Sequence, residues 1–166
     1  MFSVYATLMF VSKFLMQVLP NIHLLAMLII VATIEWRAKA LIPIYVYVFL
    51  DGVFGGFSAW WLPYLYIWLP MWLMAMGVTG LVRRFNIRKP IATVCYMVIA
   101  FIHGMSFGTL YAPLQALMFG LGGKQTLAWI IAGLPFDAIH GVSNFIVASL
   151  TLPLASALHK FRTMKS

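Results

Sequence analysis

Acid is nearly missing from this chain: Glu35, Asp51 and Asp137 are its only carboxylate side chains in 166 residues, and charged residues of both signs reach just 8%. A soluble domain carries about a quarter charged residues, so an ordinary solvated surface is excluded. Cysteine is scarcer still, and Cys95, standing alone, excludes an intrachain disulfide. No phosphate-cradling loop of the Walker type occurs, so the chain has no means of driving anything with ATP by itself. Soluble linkers, low-complexity tracts and internal repeats are absent as well.

What is present is apolar. Such residues make up 64% of the chain, more than a soluble protein of this size can hide inside itself. The net charge of +8 does not read as nucleic-acid binding, because the basic residues fall in short clusters between apolar runs, as membrane-topology signals do. A cleaved signal peptide is not expected: Met1–Leu8 has no basic n-region, and the first apolar run carries Lys13 in its middle. The expected fold is an all-α integral membrane protein, a single domain over residues 1–166.

A helix needs about 20 residues to cross roughly 30 Å of hydrocarbon. Runs and breakers give six candidate transmembrane helices. They are Phe2–Leu19, stopped by Pro20-Asn21; Ile22–Trp36, ended by Arg37-Ala38-Lys39; Leu41–Phe57, loosened by Gly52, Gly55 and Gly56; and Trp61–Val82, ended by Arg83-Arg84. The fifth runs from Ile91 to about Phe119 and the sixth from Thr126 to about Leu158. Both exceed one membrane thickness, so each is expected to tilt or break, near Pro113 and Pro135.

Charge placement orients these spans. With the amino terminus inside, nine basic residues (Arg37, Lys39, Arg83, Arg84, Arg88, Lys89, Lys160, Arg162 and Lys165) lie on the inner side, and only Lys124 lies in an outer loop. That is the positive-inside asymmetry of a multi-pass plasma-membrane protein with both termini cytoplasmic. Glu35, beside Arg37 and Lys39, is expected to form a surface ion pair of little consequence.

Several polar residues sit where lipid does not tolerate them. Lys13, Asp51 and His103 fall near mid-membrane, and Asp137 and His140 at similar depth from the outer side. Ionisable groups at that depth face a bundle interior and mark a pathway, a site or an ion pair. Lys13 and Asp51, at equal depth, are read first as a structural pair joining two helices. Gly133, Asp137, His140 and Asn144 share one helical face, which fits a polar cavity and, alternatively, helix–helix hydrogen bonding. His103, Phe107, Tyr111 and Gln115 follow a four-residue spacing on the fifth span, and Trp60, Tyr64, Trp68 and Trp72 do so around the start of the fourth. Interfacial tryptophan and tyrosine need no ligand, but Trp68 and Trp72 lie deeper, where an aromatic stripe suits stacking on a planar ligand.

Two motifs read as decoys. Gly104-Met105-Ser106-Phe107-Gly108 spells G-x-S-x-G, but a nucleophile elbow needs a strand, a turn and a helix. Within a membrane helix the same glycines read as a close-packing face, as do Gly52 and Gly56. His23, His103, His140 and His159 lack paired ligand spacing, so no metal site is expected.

The chain resembles the substrate-binding S components of energy-coupling factor (ECF) vitamin transporters. The resemblance spans essentially its whole length: Leu19-Pro20-Asn21-Ile22-His23, Tyr45 to Gly56, Trp60 to Trp68, and Gly133-Leu134-Pro135-Phe136-Asp137 through His140-Gly141 to Asn144. In place of that family's frequent Ala-x-x-x-Ala on the first helix, Ala6 is followed by Phe10. The resemblance implies a six-helix bundle that binds a vitamin or precursor on the outer side and docks on a coupling transmembrane (T) subunit bearing two cytoplasmic ATPases. ATP is then used by those partners, and this chain binds no cofactor. The aromatic and polar stripes fall on the spans that this family gathers around its ligand. The expected substrate-binding residues are therefore Trp60, Tyr64, Trp68, His103, Tyr111, Asp137, His140 and Asn144, with no catalytic or metal-ligating residue. Stacking rings with hydrogen-bonding groups suit a small, flat, neutral or weakly cationic heterocycle of the hydroxymethylpyrimidine or pyridoxine type. Two other readings stay open: an ion-coupled secondary transporter using Asp51 and Asp137, and an intramembrane hydrolase using Ser106 with His103 or His140.

Overall fold

The structure is a computed structural model that describes residues 1–164; Lys165, counted above among the inner charges, lies outside the described residues. Within them the chain forms eight α-helices and one 3₁₀ turn, and no strand. The helices are α1 (Phe2–Met16), α2 (Leu25–Trp36), α3 (Leu41–Gly55), α4 (Tyr64–Arg84), α5 (Lys89–Met105), α6 (Phe107–Phe119), α7 (Gly123–Ala148) and α8 (Thr151–Thr163), with the 3₁₀ turn at Arg37–Ala40.

The bundle is built around α2. Ten of its twelve residues are buried, as expected of a helix that is apolar all round. It packs against α1, α4, α5, α7 and α8. The outer helices turn apolar side chains outward: Val4, Phe14, Phe49, Leu73, Val94, Leu127, Ile131 and Ile146 are all exposed. Three helical stretches are long and apolar enough to cross a membrane: α4, α5 with α6 as one run of 31 residues, and α7. An apolar exterior over long helices is the mark of a membrane-spanning bundle.

The fifth candidate span divides into α5 and α6, and the sixth into α7 and α8. Neither division falls at the expected proline. Pro113 lies inside α6 and Pro135 inside α7, and the breaks fall at Ser106 and at Ser149-Leu150. A proline removes one backbone hydrogen bond, and a packed neighbour can accommodate that loss. Ser106 is a different matter: there the α6 amino terminus is bound by a side chain from another helix, since both Asp137 carboxylate oxygens accept from the Gly108 N–H at 3.1 Å.

Glycine permits the closest helix contact. A Cβ on Gly104 would stand 2.6 Å from the Gly141 Cα, so α5 and α7 touch backbone to backbone. The G-x-S-x-G string is thus a packing face, and the Ser106 hydroxyl donates back to the Ile102 carbonyl at 2.7 Å.

Both described ends of the chain meet at one end of the bundle. Met1 and Phe161 line the same cleft, Phe2 packs on Trp36, and the Arg83 guanidinium donates to the Ile34 carbonyl. Glu35 lies here, but its partners correct the expected local pair. Its carboxylate accepts from His159 Nδ1 at 3.1 Å and from Arg162 at 3.0 Å, and its side chain is only 7% exposed. The helical path turns Glu35 toward α8, not toward its sequence neighbours Arg37 and Lys39.

Candidate ligand site

At the opposite end, the loop between α1 and α2 folds onto α7. Asn21 takes a positive φ of 59°, which turns the chain so that its carbonyl accepts from the Ser143 hydroxyl at 3.1 Å. This anchor sets the His23 ring against His140, with ring centres 4.6 Å apart. His140 in turn meets Phe107 at 4.8 Å. Trp68 lies beside them, its ring stacked on His103 (5.7 Å, 27° between planes) and edge-on to Tyr64, Tyr47 and His23.

Aromatic and imidazole rings from the first loop and from α3, α4, α5, α6 and α7 therefore form one cluster, and its polar atoms are not satisfied. His23 Nδ1, Tyr47 Oη, Trp68 Nε1, His103 Nδ1 and His140 Nε2 are buried without a hydrogen-bond partner. Trp68, His103 and His140 are at most 2% exposed, so bulk water does not explain them. An orphaned buried polar atom points to a bound water, an ion or a ligand. Two of the five have fixed roles. Indole N–H only donates. His103 Nε2 faces the Ile67 carbonyl at 2.9 Å; a carbonyl only accepts, so in the neutral ring Nε2 carries the proton and Nδ1 is left as an acceptor.

A cavity of about 180 Å³ opens beside this cluster, lined by Lys13, Asn21, His23, Tyr64, Phe107 and His140 among others. A second, of about 220 Å³, lies against Asp51, Phe54 and Trp60. Lys13 and Gln17 line both. The Lys13 ammonium meets both Asp51 oxygens at 2.6 and 2.7 Å and lies over the Tyr64 and Trp60 rings, 4.7 and 5.4 Å from their centres. The ion pair read from equal depth is formed, and it borders both cavities. A larger cleft, about 530 Å³, is at the far end among Met1, Tyr5, Leu28, Leu154 and Phe161; none of the orphaned atoms borders it.

The residues expected at a site divide into three groups. Tyr64, Trp68, His103 and His140 come together around the cavity and the cluster behind it. Trp60 and Tyr111 meet each other: the Tyr111 hydroxyl donates to the Trp60 carbonyl, which ties the loop before α4 to α6. Asp137 and Asn144 do not line the cavity. Asp137 is engaged by Gly108, and Asn144 is buried one helical turn beyond His140 with neither amide atom partnered. His23, Phe107 and Lys13 line the cavity and are not among the expected substrate-binding residues. The signal for His23 was present, a polar Asn21-Ile22-His23 step between two apolar runs, but nothing in one dimension says that the step folds back over α7.

Among the described residues, no group of three or more His, Cys, Asp or Glu side chains is placed to hold a metal ion. No family model, no curated protein and no solved structure matches the chain.

Proposed function

We propose that this chain is the substrate-binding S component of an ECF-type importer, a six-span plasma-membrane protein with both termini in the cytoplasm. It captures a small vitamin or vitamin-precursor heterocycle, of the hydroxymethylpyrimidine or pyridoxine type, from the outer side. The observation that carries the reading is the set of five unpartnered polar atoms in a buried ring cluster beside a cavity. A helical bundle with an apolar exterior keeps such atoms unsatisfied at a cost of about 1–3 kcal/mol each, and a hydrogen-bonding planar ligand in the cavity removes that cost at His23 and His140, the two of the five that line it. The position of the cavity supports the outer side. It lies at the end opposite Arg83, Arg162 and both described chain ends, and basic residues mark the cytoplasmic end. Uptake is driven by partners, a coupling T subunit and two cytoplasmic ATPases, because the chain carries no nucleotide-binding motif of its own.

The test is purification from its native membrane under mild detergent, followed by native mass spectrometry. Co-purification of a membrane coupling subunit with ATPases is expected, along with a retained ligand in the mass range of one small heterocycle. Proteoliposomes holding this chain alone are expected to bind ligand without accumulating it. Uphill uptake driven by a proton or sodium gradient replaces this reading with that of a secondary transporter using Asp51 and Asp137.

A further inference from the structure

We infer that the ligand of the His23–His140 cavity is an uncharged, single-ring heteroaromatic compound that presents a hydrogen-bond acceptor to Lys13, and that Lys13 sets this specificity. The inference rests on the binding reading above and narrows it.

Charge comes first. The chain has three carboxylates, and each is engaged: Glu35 by His159 and Arg162 at the far end, Asp137 by the Gly108 N–H, and Asp51 by Lys13. The neutral Gly108 N–H leaves Asp137 without a counter-cation, but Asp137 does not line the cavity; a cationic ligand there finds no free carboxylate and lies beside an ammonium, where an unpaired charge is expensive. An anionic ligand meets an ammonium whose charge Asp51 already balances at 2.6 Å, so it adds an unpaired negative charge to a neutral site. The neutral ligand is the one the site accepts without penalty.

Hydrogen bonding comes next. An ammonium has three N–H donors, and among the described residues Asp51 supplies the two acceptor atoms that Lys13 meets, with the Tyr64 and Trp60 ring faces beside it. At least one N–H is left, on a side chain that lines the cavity and is 24% exposed. A ligand acceptor meets that N–H, with His23 Nδ1 and His140 Nε2 on the facing wall still unpartnered. Size is the third constraint. A volume of about 180 Å³ is well below the roughly 300–1,000 Å³ of pockets for drug-sized ligands. It suits one ring with small substituents between the Tyr64, Phe107 and His140 rings.

The test uses one ring in three charge states, titrated calorimetrically into the detergent-purified full chain: pyridine-3-carboxamide, pyridine-3-carboxylate and 1-methylpyridinium-3-carboxamide. The neutral carboxamide is expected to bind at least about tenfold more tightly than either ion. Equal or tighter binding by an ion overturns this inference while leaving the binding reading intact. In Asp51→Asn the ammonium loses its counter-ion, and the preference should move at least about tenfold toward the carboxylate. An unchanged preference there, in a monodisperse preparation, means that Lys13 does not face the ligand and also overturns the inference. Because Asp51→Asn leaves a buried cation that is able to unfold the chain, the charge-free pair Lys13→Met with Asp51→Asn is measured alongside it. That double variant should lose discrimination among the three probes; retained discrimination places specificity elsewhere. Binding of none of the three by the parent, together with no retained molecule in native mass spectrometry, removes both this inference and the binding reading.

Discussion

The two ends of the bundle treat their polar groups in opposite ways. At the Glu35 end, long side chains answer the polar groups that end α2: Arg83 takes the Ile34 carbonyl, Arg162 takes both the Glu35 carbonyl and carboxylate, and His159 takes the carboxylate again. The His159 and Arg162 contacts fasten α8 to α2 across 124 residues of sequence, and Arg83 ties α4 to it, beside a cleft walled by apolar side chains. At the His23 end, the polar atoms lie behind aromatic walls and go unanswered. A completed network holds helices in place, whereas an incomplete one holds room for something else. By that criterion the smaller cavity, and not the larger cleft, is where the proposed ligand would sit.

The largest effect should come from the α5–α7 joint beside His103 and His140. Gly104→Ala puts a methyl group 2.6 Å from the Gly141 Cα, and neither backbone can yield without moving α5 off α7. A loss of about 3 kcal/mol is expected, read as lower thermal stability in detergent and a smaller monodisperse fraction. Gly77→Ala in α4 is the control, since nothing lies within 4 Å of a Cβ there. It should be neutral or gain up to about 1 kcal/mol from helix propensity. Equal behaviour of the two variants would mean that α5 and α7 do not meet at Gly104.

Next in size is the stacking ring. Trp68→Ala removes the ring that touches Tyr47, Tyr64 and His103, along with an unpartnered donor. Ligand affinity should fall by about 1–3 kcal/mol, roughly ten- to a hundredfold in Kd. Stability falls too, because the side chain is buried, so calorimetry on monodisperse protein is the deciding measurement. Unchanged affinity would turn the cluster into ordinary core packing and break the contrast between the ends.

How far the sequence reaches follows the range of the interactions. Apolar runs locate α1 to α4 within a few residues, because hydrophobic burial acts on local periodicity. Depth counting pairs Lys13 with Asp51 because one rise per residue applies along each helix. It also gives His103 and His140 a similar depth, while Trp68 is brought to them only by the family resemblance. What is not legible is decided by contacts distant in sequence. The helix divides at Ser106, not at Pro113, where a carboxylate 29 residues away binds the Gly108 N–H. The same contact takes Asp137, which a one-dimensional count treats as a ligand group, away from the cavity. Glu35 looks like a partner of Arg37, yet it fastens α8. Each of these outcomes turns on which helix faces a carboxylate, and helix spacing along the chain carries no record of it.

The smallest effect is expected at the fastened end, and it is the one that separates the two regions most cleanly. Glu35→Gln keeps the shape and one acceptor oxygen but removes the charge that faces Arg162 and His159. Those partners are 43% and 60% exposed, so water screens much of the attraction. Burial of the carboxylate, at 7% exposure, acts in the other direction and makes its desolvation part of the balance. The net loss should be about 1 kcal/mol, a drop of a few degrees in Tm for a chain of this size. Ligand affinity should stay within about twofold of the parent, since sites well separated and without shared partners behave additively. Calorimetric titration of Glu35→Gln beside Trp68→Ala decides the matter. If affinity falls as far in the first as in the second, the tie between α2 and α8 is coupled to the cavity, and the division into a fastening end and a binding end is wrong.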